Sequence, residues 1–379
     1  MKKTVKVLQV LDYVNHNSGV SAVVMNYFSH MDRDKVQCDF LLFEKEENEI
    51  SREIVRCGGR IYTSGKPAGK SILNYRKRVD EFFAQHVGEY EVVHMHIPNA
   101  AFAVLRSAKK YGVPVRILHS HNARGADGTV KKVRNFLLNK WGIRYANRYF
   151  ACSEAAGVYL YGKRKMEKHQ VWVINNAIDL KRYAFREERR EQIRRQYGIG
   201  PEEMLLGNVG RFVEQKNQIR LLEIFAEAEK KLGAKLILLG DGELKEDLRN
   251  KAEQLGIAEK VIFAGVVDDV ENYLSAMDVF LLPSLYEGLP VVCVEAQAAG
   301  LPCLVSANVT REIRLTDQVY FIENAETAQW CEALEELAHN MGTRQSGLKL
   351  DAYDIEKQAA VLEENYLRYG KSTDTDVDL

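Results

Sequence analysis

Runs of β-branched and aliphatic residues alternate with stretches of helical period along nearly the whole chain, the pattern of parallel strands joined by crossover helices. In a first series this pattern predicts strands at Val5–Leu11, Val36–Phe43, Val92–Met95, Val115–His119 and Tyr149–Cys152, separated by helices such as Ser21–Met31 and Asn99–Tyr111. A second series runs through Met204–Val209, Lys235–Leu239, Val261–Phe263, Val279–Leu282 and Cys303–Ser306, with helices at Asn217–Lys231, Leu244–Leu255, Val270–Ala276 and Val291–Ala299. Two doubly wound, Rossmann-like α/β units follow. The break falls near Asn175, which gives a first domain over 1–174 and a second over 175–354. A helix at about 355–369 is expected to pack back on the first domain, and the small, polar, acidic residues 370–379 are expected to be disordered. Gly58–Ser71, with its glycines and Pro67, reads as a mobile loop. Units of this kind bind ligands beyond the carboxyl ends of their strands, so a cleft between the two domains is the expected active site.

The 379 residues provide for two cores of ordinary size, and no apolar run approaches the roughly 20 residues that span a bilayer. Met1-Lys2-Lys3 leads directly into a strand pattern with no signal-type apolar segment, which predicts a cytosolic protein. Six cysteines without a CxxC pair predict free thiols rather than a zinc site or a disulfide framework. Formal charge is zero, yet residues 1–172 hold 29 Lys+Arg against 16 Asp+Glu, and the remainder 24 against 37. The basic half therefore expects an anionic partner. Within it, 130–149 carries Lys131, Lys132, Arg134, Lys140, Arg144 and Arg148 among Val133, Phe136, Leu137, Leu138, Trp141 and Ile143, a basic amphipathic helix suited to reversible binding at an anionic membrane. No nucleic-acid module accompanies the charge.

Candidate chemistry gathers where strands give way to helices. After the strand Val279–Leu282 comes Pro283-Ser284-Leu285-Tyr286-Glu287-Gly288-Leu289-Pro290, in which Pro290 is expected to open a helix. Backbone N–H groups around Gly288 and Leu289, with the positive end of the helix dipole behind them, would suit a diphosphate. Glu287 and Glu295 are carboxylates able to grip hydroxyls. Gly210-Arg211-Phe212-Val213-Glu214-Gln215-Lys216 supplies one forked cation and one point cation, a pairing for two phosphates. In Leu239-Gly240-Asp241-Gly242, Gly242 would let backbone lie beside a ligand, and Asn17-Ser18-Gly19-Val20 in the first domain offers Gly19 at another helix start. The latter is not GxGxxG, which argues against a dinucleotide dehydrogenase. His119 and His121 emerge on one side at the end of a parallel strand, followed by Asn122. The acidic pairs Asp32/Asp34 and Asp374/Asp378 read as solvated carboxylates, and no metal is implied.

In these motifs the chain resembles the retaining GT-B glycosyltransferases of family four, the group 1 glycosyltransferases, in the bacterial branch that serves capsule and exopolysaccharide assembly. The likeness is carried by Gly210-Arg211 with Lys216, by Leu239-Gly240-Asp241-Gly242 and by the Glu287-to-Glu295 element, supported by His119-Ser120-His121-Asn122, Ala151-Cys152-Ser153-Glu154 and 173–179. It implies a second domain that binds a nucleotide-diphosphate sugar, UDP- or GDP-linked before ADP-linked, and a first domain that binds a saccharide or lipid-linked acceptor. It further implies Arg211 and Lys216 on the diphosphate, Glu295 on the ribose, Glu287 on the transferred sugar, Gly288 and Leu289 as backbone donors, and a first-domain histidine near that sugar, His121 before His119. Transfer of a hexosyl or N-acetylhexosaminyl group with retention, no cofactor, and a place in the cytoplasm or at the inner membrane face complete the expectation. Ser18-Gly19 departs from the paired glycines of many relatives. Rival readings on the same plan are a nucleotide-sugar 2-epimerase, a phosphorylase, which would need a lysine-linked pyridoxal phosphate, and a non-catalytic nucleotide-sugar-binding subunit.

Overall fold

Val5-Lys6-Val7-Leu8-Gln9-Val10-Leu11 is buried at every position but one, as a strand covered by helices on both faces must be. It forms β1, the inner strand from which the first of two units is built. The computed structural model describes residues 4–15, 18–44, 46–67, 72–122, 129–340, 344 and 350–371. After β1 (Val5–Leu11) come α1 (Gly19–His30), β2 (Val36–Leu42), α2 (Glu49–Arg56), β3 (Ile61–Thr63), α3 (Ile72–Gln85) and β4 (Val92–Met95). Then follow α4 (Ala101–Lys110), β5 (Val115–Ser120), α5 (Thr129–Ile143), β6 (Arg148–Ala151), α6 (Glu154–Tyr161), α7 (Lys163–Glu167) and β7 (Val171–Val173). The strands pair in parallel in the order β3-β2-β1-β4-β5-β6-β7.

The second unit opens with α8 (Leu180–Tyr183) and α9 (Glu187–Gln196), then β8 (Leu205–Val209), α10 (Gln218–Leu232), β9 (Lys235–Leu239), α11 (Lys245–Gln254) and β10 (Val261–Gly265). It closes with α12 (Val270–Ala276), β11 (Val279–Leu282), α13 (Val291–Ala298), β12 (Cys303–Ser306), β13 (Val319–Ile322) and α14 (Thr327–His339). Its sheet is again wholly parallel, ordered β10-β9-β8-β11-β12-β13. Unit 1 comprises residues 1–177 with 355–379, and unit 2 residues 178–354. The last helix, α15 (Ile355–Lys371), packs on α1 and β1, and its Tyr366 is fully buried there. It extends two residues into the segment expected as a tail, and residues 372–379 lie outside the described residues.

The fold is α/β with two doubly wound sheets, as the hydrophobic pattern required. The strands that the pattern did not single out are β3, β7 and β13, and all three are sheet edges of three or four residues. Edge strands are short and covered on fewer sides, so their apolar signal is weak. The expected loop Gly58–Ser71 is corrected on this point: Ile61–Thr63 pairs with Phe40–Leu42, and residues 68–71 lie outside the described residues. Pro290 also sits one place earlier than expected, at the cap of α13 rather than inside it.

Strand order reverses between β1 and β4 in unit 1 and between β8 and β11 in unit 2. Loops that leave neighbouring strands on either side of such a reversal diverge and open a crevice at the carboxyl ends. Behind that edge of unit 2, Asp278 accepts from Arg190 at 2.7 Å, from Arg194 at 3.2 Å and from the Leu205 N–H at 2.7 Å, anchoring α9 to the start of β8. Removing one partner of a buried pair strands the other charge. Asp278→Ala is therefore expected to cost about 3–5 kcal/mol, read as an earlier urea transition by circular dichroism, with Asp278→Asn less damaging because it keeps an acceptor for Leu205.

Candidate functional site

In unit 2 the reversal brings together the segments after β8 and β11. Their loops are tied by backbone and side-chain bonds: Leu285 N–H to the Gln215 carbonyl at 2.9 Å, Gln215 Nε2 to the Tyr286 carbonyl at 3.0 Å, and Asn217 Nδ2 to the Pro283 carbonyl at 3.1 Å. Asn217 takes a left-handed φ of 57°, a conformation that asparagine adopts more readily than most residues. On this knitted base Lys216 Nζ meets Glu287 Oε1 at 2.7 Å, and the Ser284 hydroxyl donates to the same oxygen at 2.8 Å. Gln215 Nε2 reaches Glu287 Oε2 at 3.3 Å. Arg211, by contrast, is exposed and its guanidinium has no partner among the described residues.

The neighbouring strand β9 ends at Gly240-Asp241-Gly242. Gly240 has a φ of 136°, and a Cβ there would strike the Gly210 carbonyl; a Cβ on Gly242 would strike the Phe212 backbone. Glycine is required at both positions so that this turn can lie against the Arg211 loop. Gly242 donates its N–H to Asp241 Oδ1 at 2.7 Å. Beyond Glu287, Gly288 is half-buried and Leu289 is buried in the core of unit 2. No side chain caps α13, and of its first N–H groups that of Cys293 donates to the Pro290 carbonyl at 3.0 Å.

Glu295 lies within α13, which packs on α8. Burial pushes its carboxyl up to about 7, while the Tyr183 hydroxyl and Arg182 pull it partway back. Arg182 is held in turn by Glu271 at 3.0 Å and the Asp268 carbonyl at 2.8 Å. Glu287 and Glu295 thus belong to separate hydrogen-bonded sets. Ser284, Gln215 and Tyr183, which hold these two carboxylates, went unnoticed in the sequence. Ser284 and Gln215 sit inside motifs already singled out, whereas Tyr183 is 112 positions from its partner Glu295 and leaves no local signal.

Unit 1 places Gly19 at the first position of α1, exposed, with Ser18 as the cap accepting from the Ser21 N–H at 3.2 Å. A Cβ on Gly19 would meet nothing within 4 Å, so no close approach demands glycine there. Asn17 lies outside the described residues. His119 is buried, His121 half-buried and Asn122 exposed. Two further histidines, His94 and His96, stand at the end of β4. Register pairs His94 with Ile117, so the alternating His94/His96 and His119/His121 share one face of the sheet. The repeated H-x-H spacing at the ends of two strands was the available signal.

Nitrogens of His94, His96 and His119 lie within 4.8 Å of one another. Their rings, however, stack: His94 on His96 at 4.2 Å and 24°, and His94 on His119 at 5.2 Å and 16°. Lone pairs of near-parallel rings run side by side and do not converge on one ion. Hydrogen bonds join them instead, His94 Nε2 to His119 Nδ1 at 3.1 Å and His96 Nδ1 to His121 Nε2 at 2.9 Å. Burial holds all four well below the usual imidazole range, His121 at about 3, so they are neutral near pH 7.

Comparison with known proteins gives a concordant picture. Residues 189–347 match the family described as glycosyl transferases group 1, and residues 17–182 match glycosyltransferase family 4. EpsF of Bacillus subtilis (strain 168), assigned as a glycosyltransferase, is 34% identical over 81% of this chain and 80% of its own length. An Escherichia coli UDP-Gal:α-D-GlcNAc-diphosphoundecaprenol α-1,3-galactosyltransferase is 28% identical over 58% of each chain. Among solved structures, Anabaena HepE in complex with UDP-glucose superposes with a TM-score of 0.73 over 97% of both chains at 16% identity, a likeness of fold.

The raised pKa of Glu295 has a consequence for stability. Between the ordinary 4.5 and about 7 the native state binds more protons than the unfolded chain, so this group lowers stability as pH rises through that window. Glu295→Gln removes the penalty. Urea unfolding should show the variant gaining on the parent by about 3 kcal/mol between about pH 4.5 and about pH 8, whereas a constant gap would show that burial does not raise this carboxyl.

Proposed function

The chain belongs to the group 1, family 4 glycosyltransferases, and from that premise we propose that it transfers a sugar from a nucleotide diphosphate, with retention at the anomeric carbon, to a saccharide or lipid-linked acceptor during synthesis of a cell-envelope polysaccharide. Unit 2 takes the donor and unit 1 the acceptor. UDP is the first nucleotide to test, because HepE is described with UDP-glucose and the Escherichia coli relative is named for UDP-galactose and a diphosphoundecaprenol-linked acceptor.

The observation that carries this reading is the Lys216–Glu287 arrangement beside an unpartnered Arg211 and an uncapped α13. Bond cleavage leaves charge on the diphosphate. Arg211, Lys216 and the first N–H groups of α13 meet that charge, each such donor worth about 3 kcal/mol at the transition state. Glu287 keeps Oε1 on Lys216 and Ser284 and turns its remaining acceptor capacity to hydroxyls of the sugar, which makes it a positioning carboxylate rather than a nucleophile. The acceptor hydroxyl then attacks the face that the diphosphate leaves, through an ion-pair-like centre. Glu295 accepts from the ribose hydroxyls and His121 faces the transferred sugar. The protein's own cations supply the countercharge, and the reaction takes no metal or other cofactor.

Helix α5 supports a place at the membrane. Leu138 and Ile143 pack into the core of unit 1, yet Val133, Phe136, Leu137 and Trp141 are each more than half exposed among the described residues, beside the exposed cations Arg134, Lys140 and Arg144. An apolar cluster ringed by positive charge fits an anionic bilayer surface.

Two experiments test these points. A thermal shift should appear with UDP or a UDP-sugar, and Lys216→Ala and Arg211→Ala should each weaken binding about 10- to 100-fold; turnover with a lipid-diphosphate acceptor should persist in excess chelator and give a retained anomer by NMR. An unchanged shift in both variants would place the diphosphate elsewhere. In sedimentation with phosphatidylglycerol vesicles, the double variant Phe136→Ala/Trp141→Ala should partition about tenfold less than the parent, and equal binding to neutral and anionic vesicles would count against the membrane surface.

A further inference from the structure

Two chains of buried hydrogen bonds in unit 1 meet at a single amide. On one side Gln9 Nε2 lies 3.2 Å from the Tyr366 hydroxyl and 3.8 Å from Cys38 Sγ; on the other, Gln9 Oε1 lies 2.9 Å from His96 Nε2. The Tyr366 hydroxyl is 2.6 Å from His94 Nδ1, and His94 Nε2 leads on to His119. His96 Nδ1 leads on to His121. Each neutral imidazole carries one proton, so one nitrogen must donate and the other accept.

That requirement fixes every proton in turn. An amide NH₂ has two hydrogens, and the Tyr366 oxygen and Cys38 sulfur take both. Tyr366, accepting from Gln9, spends its own hydrogen on His94 Nδ1. His94 then bears its proton on Nε2 and gives it to His119 Nδ1, which leaves the His119 proton on Nε2. In the other chain Gln9 Oε1 accepts, so His96 is protonated at Nε2 and its Nδ1 must accept from His121 Nε2. All four histidines are Nε2–H tautomers. Turning the Gln9 amide over reverses each step, and all four become Nδ1–H.

We propose that Gln9 is a positioning residue whose one amide sets the tautomer of four histidines together, so that His121 offers a bare Nδ1, an acceptor for a sugar hydroxyl, while His119 keeps an N–H. The role of the His121 nitrogen rests on the donor-sugar reading given above; the tautomer pattern does not. Each chain ends at one nitrogen that no other member of the relay meets. His119 Nε2 is a buried atom with no hydrogen-bond partner among the described residues, and His119 helps line a cavity of about 20 Å³, enough for one water molecule to accept its proton. His121, half-buried at the end of its chain, has Nδ1 as its remaining nitrogen.

The test is long-range ¹H–¹⁵N correlation on the full-length protein labelled with ¹⁵N-histidine, the four relay residues being recognised as those whose signals hold still between about pH 8 and pH 6. Four Nε2–H patterns are expected. Any Nδ1–H pattern or imidazolium among them overturns the proposal. In Gln9→Met all four should become mixtures of both tautomers; in Tyr366→Phe, which cuts only one chain, His94 and His119 should do so while His96 and His121 stay Nε2–H. Parent-like patterns in both variants would remove Gln9 from its role. Gln9→Met should also lose at least about tenfold in kcat with KM for the donor little changed, as an imidazole in the wrong tautomer does. If the tautomers shift as described while kcat holds, the relay stands and the contact between His121 and the sugar falls.

Discussion

The Lys216–Glu287 ion pair is the interaction on which the arrangement of the loops at the strand-order reversal of unit 2 depends. A half-buried pair of this sort contributes little net stability, because the cost of desolvating two charges offsets most of their attraction. Its value lies in position. Lys216 belongs to the segment after β8 and Glu287 to the segment after β11, and their contact at 2.7 Å fixes both loops across the place where strand order reverses. Ser284 and Gln215 complete the set, so a cation and a carboxylate are held in one geometry. Preorganisation of this kind spares the reorganisation that charge separation would otherwise demand at the transition state.

Unit 1 solves a different problem at the equivalent edge of its own sheet. Four imidazoles ending β4 and β5 are withdrawn from water, which excludes charge, and are bonded to each other, to Gln9 and to Tyr366, with His119 Nε2 left without a partner among the described residues. Such a network gains from being complete, since each buried group left unpaired would cost its full desolvation. Helix α15 supplies one of its members. The final helix of the chain carries Tyr366 back to the first unit, so the state of histidines ending the fourth and fifth strands depends on a residue 357 positions from Gln9.

Much of this could be read from the sequence, because inner parallel strands are apolar throughout and the loops at their carboxyl ends are where function concentrates. Hence β1, β4, β9, β11 and β12 were expected with the bounds they have, and Arg211, Lys216, Glu287 and Gly242 were found in the turns that follow such strands. What escaped has physical reasons. Strands β3, β7 and β13 are brief edges with little hydrophobic contrast. Pro290 has the φ needed for either the cap or the first helical turn, and only the backbone decides between them. His94 and His96 stand at the end of an inner strand, and only the register with β5 brings them beside His119 and His121. Tyr183 beside Glu295, and Gln9 beside Tyr366, are tertiary partners that no local pattern announces.

A crystal structure with a UDP-sugar bound is the most direct measurement. The pyrophosphate should lie within hydrogen-bonding distance of Arg211, Lys216 and the first N–H groups of α13, with the sugar hydroxyls on Glu287. Nucleotide density elsewhere on unit 2, with the Lys216–Glu287 pair untouched and Arg211 still facing solvent, would contradict the donor site described for this glycosyltransferase.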